Sequence, residues 1–140
     1  MTLLDTNVLI EASIPTAPHH VWARRTIVAA VSGSGAAIDS VTLAELCVGD
    51  AVPDEVAPRI RSWGVEILDV PAAASEICAK AYALYRRRRL MQSGKESPAM
   101  PLPDFFIGAH AQIMGWTLAT ADIDRFRVYF PKLRLSLPAE

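Results

Sequence analysis

Four acids stand where a folded chain can bring carboxylates together. Asp5 closes a short apolar run, Thr2 to Leu4, and is followed by Thr6-Asn7. Glu45 falls within Leu43 to Val48, and Asp104 follows Pro103 at the start of the apolar stretch Phe105 to Met114. Asp122 ends Thr120-Ala121-Asp122, directly after the apolar run Trp116 to Ala119. Each acid has a structural use open to it. Asp5 suits a helix N-cap, Glu45 the last place of a capping box Thr42-x-x-Glu45, Asp104 the positive end of a helix dipole, and Asp122 a turn. Asp124, two residues further on, is a second candidate for the fourth acid. Taken together they call for another explanation. Carboxylates a few ångströms apart repel, and burial raises the cost, so a domain keeps such a cluster by taking up protons or binding cations. Hard oxygen donors suit Mg²⁺ or Mn²⁺. Two such ions stabilise the attacking and leaving oxygens of a phosphoryl displacement, and lower the pKa of bound water enough to supply hydroxide near neutral pH.

The surrounding pattern supplies elements that would carry these acids to one place. Thr2 to Leu4, Ala36 to Ile38, Val65 to Leu68 and Trp116 to Ala119 are short and largely apolar, as strands buried on both faces are. Between them lie segments with helical signals. These run from Val8, from His20 to Val31 before Ser32-Gly33-Ser34-Gly35, from Leu43 to Val48 before Gly49, and from Pro53 to Gly64. Two more run from Pro71 to about Gln92 and from Phe105 to Met114 before Gly115. The tail from Leu133 to Leu137 is a candidate edge strand. Strands alternating with helices predict a parallel sheet of four or five strands with helices on both faces, a three-layer α/β/α domain. Ligands of such sheets bind beyond the carboxyl ends of the strands. Asp5, Glu45 and Asp122 fall at those ends. Asp104 reaches the same edge because the helix it opens runs antiparallel to the strand it feeds.

A length of 140 residues with 51% hydrophobic content predicts one domain spanning residues 1–140. Ser93 to Pro101 is rich in Ser, Gly and Pro and reads as a surface loop, because too little chain follows it for a second core. The net charge of −1 gives no global signal for nucleic acid. If four acids form a metal site, however, the rest of the chain is net basic, and Arg86-Arg87-Arg88-Arg89 is a local cationic cluster. Those arginines suit either an RNA backbone or a solvated helix end; Arg88 falls on the apolar stripe through Ile77, Ala81 and Leu84, which would turn it into an interface. Cys47 and Cys78 sit in no ligand pattern and read as reduced, small apolar residues of a cytoplasmic protein. The start lacks the basic region of a signal peptide, and no apolar run approaches the ~20 residues needed to span a bilayer. His19, His20 and His110 show no ligand spacing, and His110 falls on the face of its helix opposite Asp104. Trp22, Trp63 and Trp116 read as core or interface residues.

The four motifs in this order and spacing resemble the PIN-domain nucleases: Asp5-Thr6-Asn7 after an N-terminal strand, Glu45 about forty residues later, Pro103-Asp104 opening an apolar helix, and Thr120-Ala121-Asp122 after the last central strand. The short chain resembles in particular the VapC-type toxins of bacterial toxin–antitoxin pairs, and the resemblance covers nearly its whole length. It implies an RNA endonuclease using Mg²⁺ or Mn²⁺. Asp5 and Asp104 would be the chief ligands, Glu45 and Asp122 would complete the acidic site, and Thr120 would be a polar neighbour. It also implies a homodimer, inhibited by a small cognate antitoxin that enters the active-site groove, with no membrane partner. Two other readings use the same acids without catalysis. A receiver-like signalling domain would need an acidic pair beside Asp5 and a lysine directly after the Trp116 to Ala119 strand, and neither is present. A catalytically inactive PIN-like module that only binds a partner makes no such demand.

Overall fold

The computed structural model describes residues 1–93 and 102–139; the expected loop from Ser93 lies, beyond that residue, outside them. Five strands form a single sheet: β1 (Thr2–Leu4), β2 (Ala36–Asp39), β3 (Val65–Leu68), β4 (Thr117–Ala119) and β5 (Leu135–Ser136). Their order is β3-β2-β1-β4-β5 and every pair is parallel. In register, Leu3 lies beside Ala37 and Leu118, and Leu4 beside Ala119.

Both faces of β1, β2 and β4 are largely buried, so these strands are mostly apolar instead of alternating, whereas the edge strand β3 turns Glu66 to solvent. Leu3, Ala37 and Leu118 face a layer built by α5 (Ala74–Ser93), α6 (Leu102–Met114) and α7 (Ile123–Tyr129), through Cys78, Ala81, Tyr85, Phe105, Ala109 and Phe126. Leu4, Ala36, Ile38 and Ala119 face α1 (Thr6–Ser13), α2 (His20–Ser32) and α4 (Val56–Ser62), through Val8, Leu9, Ala23, Ile27, Val56 and Ile60. A short 3₁₀ turn at Pro53–Glu55 leads into α4. The remaining helix, α3 (Ser40–Val48), follows β2 directly. The three layers and the parallel sheet agree with the expectation, with the tail supplying the fifth strand.

Two features of the topology position the candidate site. The chain builds outward from β1 to β2 and β3, then returns to place β4 on the other side of β1, so the strand order reverses between β1 and β4. A crevice opens at the carboxyl ends where two neighbouring connections part in this way, and Asp5 and Thr120 are the residues that follow β1 and β4. The second feature is the turn that delivers β4. Gly115 ends α6 at φ +69°, a conformation that favours glycine. Trp116 N–H donates to Ala111 O (2.9 Å) and Gly115 N–H to Gln112 O (3.1 Å), a pairing that closes the helix and sends the chain back along the sheet. The start of α6, with Asp104, therefore returns to the edge that carries Asp5. Among the described residues no helix is long and apolar enough to cross a membrane.

Candidate active site

Asp5 is buried at 3% exposure and does two things at once. Its Oδ1 accepts the Thr6 N–H (2.8 Å) and caps α1. Its Oδ2 accepts the Thr120 hydroxyl (2.8 Å) and the Asn7 side-chain amide (3.2 Å). The N-terminal and β4 motifs are bound to each other around this carboxylate. Asn7 Oδ1 accepts the Ala121 N–H (3.0 Å), and Thr120 Oγ1 accepts the Asp122 N–H (3.1 Å). Burial pushes the Asp5 carboxyl from its ordinary 3.8 up to about 6; the Thr120 and Thr6 hydrogen bonds oppose the shift, and the Asp104 charge adds to it.

Asp104, in the first turn of α6, is also buried. Its carboxyl is raised by burial, pulled back by Arg125, and raised again by the charges of Glu45 and Asp122. Electrostatically, then, the four predicted acids form one group. Asp122 caps α7, its Oδ1 accepting the Arg125 N–H (3.2 Å), while its Oδ2 lies 2.9 Å from Arg125 Nε. Asp124 is exposed in the first turn of the same helix and makes neither contact, so Asp122 is the acid turned toward the group. Glu45 is exposed on α3, and its Oε1 accepts the Thr6 hydroxyl (2.8 Å), which itself lies 3.2 Å from that of Thr42. The capping box predicted for Glu45 is not formed. Asp39 caps α3 instead, its Oδ1 accepting the N–H groups of Val41 (3.0 Å) and Thr42 (3.1 Å), which leaves Glu45 free of a capping role.

The acids gather but do not close on a point: among the described residues no three His, Cys, Asp or Glu side chains are placed to hold one ion. Between two of them stands a cation belonging to the chain, Arg125, 3.2 Å from Asp104 Oδ2 and 2.9 Å from Asp122 Oδ2. The residues present nonetheless fit a divalent ion. All the donors are hard oxygens, and Asp5 is a buried carboxylate with hydroxyl and amide donors around it but, among the described residues, no ion-pair partner of its own, the condition in which an added cation is most favourable.

Several contacts were not read from the sequence. Arg125 is three residues past a capping aspartate, an i,i+3 spacing that is visible once α7 is known. Asp39 and His110 are buried at 0% and 1% exposure and meet at 3.0 Å, Asp39 Oδ2 to His110 Nδ1. This pair joins the start of α3 to α6 and so ties the Glu45 helix to the Asp104 helix. His110 serves as a buried tie, with its ring 5.7 Å from that of Trp116. Arg88 is exposed, and its guanidinium sits 5.7 Å from the Tyr129 ring centroid, reaching from α5 to α7.

The PIN domain family matches residues 2–131. The chain belongs to the PIN-domain family. No curated protein matches it in sequence. Among solved structures, this PIN domain is similar to VapBC2 from Rickettsia felis bound to a promoter DNA fragment, with 25% identity, 99% of this chain and 98% of that one covered, and a TM-score of 0.65. DNA-bound VapBC from Salmonella typhimurium is 26% identical over 97% of this chain and 96% of that one, with a TM-score of 0.64. The Mycobacterium tuberculosis toxin VapC20, described as cleaving the sarcin–ricin loop, shares the fold at 16% identity, with 96% of this chain and 99% of that one covered and a TM-score of 0.61. These neighbours agree with the resemblance to VapC toxins, and the family to which the chain belongs is one of nucleases.

Proposed function

We propose that this chain is a Mg²⁺- or Mn²⁺-dependent endoribonuclease, the toxin of a toxin–antitoxin pair, cutting RNA phosphodiesters at the edge where Asp5, Glu45, Asp104 and Asp122 gather. The observation that carries the reading is the buried Asp5 carboxylate, pushed toward protonation by burial and by Asp104, at the reversal point between β1 and β4. Capping α1 asks only for a side-chain oxygen there; a site for a cation asks for the charge.

Asp5 and Asp104 would be the principal ligands. Thr120 and Asn7 fix the direction of the Asp5 oxygens by donating to Oδ2. Glu45, exposed and tethered by Thr6, stands on the solvent side, where it can hold a proton of the attacking water. Asp122 completes the set from the cap of α7. When bound, the metal supplies Lewis-acid stabilisation of the charge that builds on the phosphate oxygens.

RNA as the substrate is supported by VapC20, of the same fold, and by the cationic side of the site. Tyr82 and Tyr85 pack on Phe105, next to Asp104, with ring centroids 5.2 and 5.4 Å away. The arginines Arg86 to Arg88, further along α5, therefore lie at the same end of the helix pair, and in this reading they would contact phosphates beyond the cleaved bond. The VapBC neighbours support a cognate antitoxin as partner, and the family resemblance a homodimer.

A second reading, a PIN-fold binding module without turnover, is favoured by one observation: Arg125 already spans Asp104 and Asp122. Incubating the purified protein with single-stranded RNA, in Mn²⁺ and in EDTA, separates the two. Cleavage in Mn²⁺ that EDTA stops supports the nuclease; intact RNA under both conditions supports the module.

A further inference from the structure

Arg125 is the one feature of the site that metal chemistry alone does not ask for. It lies on the first turn of α7, three residues past the capping Asp122, with its side chain a third exposed. Nε is given to Asp122 Oδ2 at 2.9 Å and Nη1 to Asp104 Oδ2 at 3.2 Å. Two nitrogens of one rigid fork are thus spent on two carboxylates from two different helices. The guanidinium also acts beyond its contacts, since its charge stabilises the ionised form of Asp5. Without a cation, Asp104 would face the charges of Asp122 and Glu45 in a largely buried setting. With Arg125 in place, the cluster carries an internal counter-charge whenever no metal is bound.

A divalent ion on Asp104 meets this guanidinium directly. It needs the carboxylate that Arg125 holds, and its double charge repels a fixed cation a few ångströms away. We propose that Arg125 is the resident counter-cation of the site and competes with divalent metal for Asp104 and Asp122, so that metal entry requires the guanidinium to leave at least one of them. The proposal rests on the reading above that these acids bind metal. Such a competition is reciprocal: what weakens the arginine's hold strengthens the metal's, and the metal-free protein pays with repulsion among the acids.

The test is calorimetric titration of Mn²⁺ into metal-free protein, comparing wild type with Arg125→Gln and Arg125→Lys, each checked for native circular dichroism. Glutamine keeps a side-chain amide donor and removes the charge; lysine keeps the charge and loses the fork. Arg125→Gln is expected to bind Mn²⁺ about two- to fivefold more tightly, the range that partly exposed ion pairs span, with Arg125→Lys close to wild type. In EDTA the glutamine variant should melt below wild type, and Mn²⁺ should close the gap. Equal or weaker Mn²⁺ binding by Arg125→Gln, with wild type binding, overturns the competition and leaves the metal site standing. Absence of Mn²⁺ binding in both overturns the metal reading and the proposal with it. If Arg125→Gln does not fold even with Mn²⁺ present, the guanidinium is a required structural strut and not an exchangeable counter-ion, and the proposal fails.

Discussion

Asp5→Asn should change how the stability of the metal-free protein depends on pH. The Asp5 carboxyl is raised to about 6 in the fold, chiefly by burial, against an ordinary 3.8. At about 1.4 kcal/mol per tenfold in proton affinity, the difference amounts to about 3 kcal/mol. Because the folded value is the higher one, the native state holds this proton more tightly than the unfolded chain does. The stability it contributes is complete below about pH 3.8 and is lost as pH rises through about 6. Roughly 2 kcal/mol of it falls between about pH 4.5 and pH 7. Asparagine cannot ionise, so Asp5→Asn lacks that loss. Its absolute stability also reflects hydrogen bonds altered at Thr120 and Asn7, but those costs do not change with pH. Urea unfolding in EDTA at several pH values should therefore show the variant gaining on wild type by about 2 kcal/mol from about pH 4.5 to pH 7. Parallel profiles would refute the claim that Asp5 is a buried, strained carboxylate. Adding Mn²⁺ at pH 7 should stabilise wild type and leave the variant nearly unmoved.

Two further substitutions probe the scaffold that brings the acids together. A Cβ on Gly108 would lie 2.6 Å from the Phe130 ring, which is buried at 1% exposure and has little room to yield; Gly108→Ala should cost about 1–3 kcal/mol in urea unfolding, and an unchanged midpoint would show that α6 is less tightly seated. His110→Ala leaves the Asp39 carboxylate buried with only its two backbone N–H donors; it should cost about 3 kcal/mol or more, and a loss under about 1 kcal/mol would show that the α3–α6 tie carries little of the stability.

The parts of the site that were legible in sequence are those set by the strands. A parallel strand buried on both faces is a short apolar block, so its carboxyl end is visible wherever the block stops at a polar residue, as at Asp5 and Asp122. Asp104 followed from connectivity, since a helix feeding the adjacent parallel strand has to begin at the same edge. The features that escaped depend on contacts between distant residues or on weak periodicity. α7 is seven residues long with one fully buried side chain, Phe126, too little to mark a helical face; without α7 in view, the structural role open to Asp122 is a turn instead of a helix cap, and Arg125 has no place. Asp39 and His110 lie 71 residues apart, and no local pattern announces their pairing. Thr42-x-x-Glu45 fits the capping-box pattern, which offers Glu45 a structural role in competition with the acidic site. The helix in fact starts at Ser40, and Asp39 takes the cap. That displacement is functionally useful, because it leaves the Glu45 carboxylate available to the site.

The most direct test of the central claim is RNA cleavage in Mn²⁺ by wild type and by Asp104→Asn, purified free of antitoxin and shown by circular dichroism to be folded. The substitution keeps the shape and removes one negative charge from the gathered acids. The account predicts that wild type cuts single-stranded RNA while Asp104→Asn loses about a thousandfold in rate or more. Cleavage by folded Asp104→Asn at the wild-type rate would contradict it.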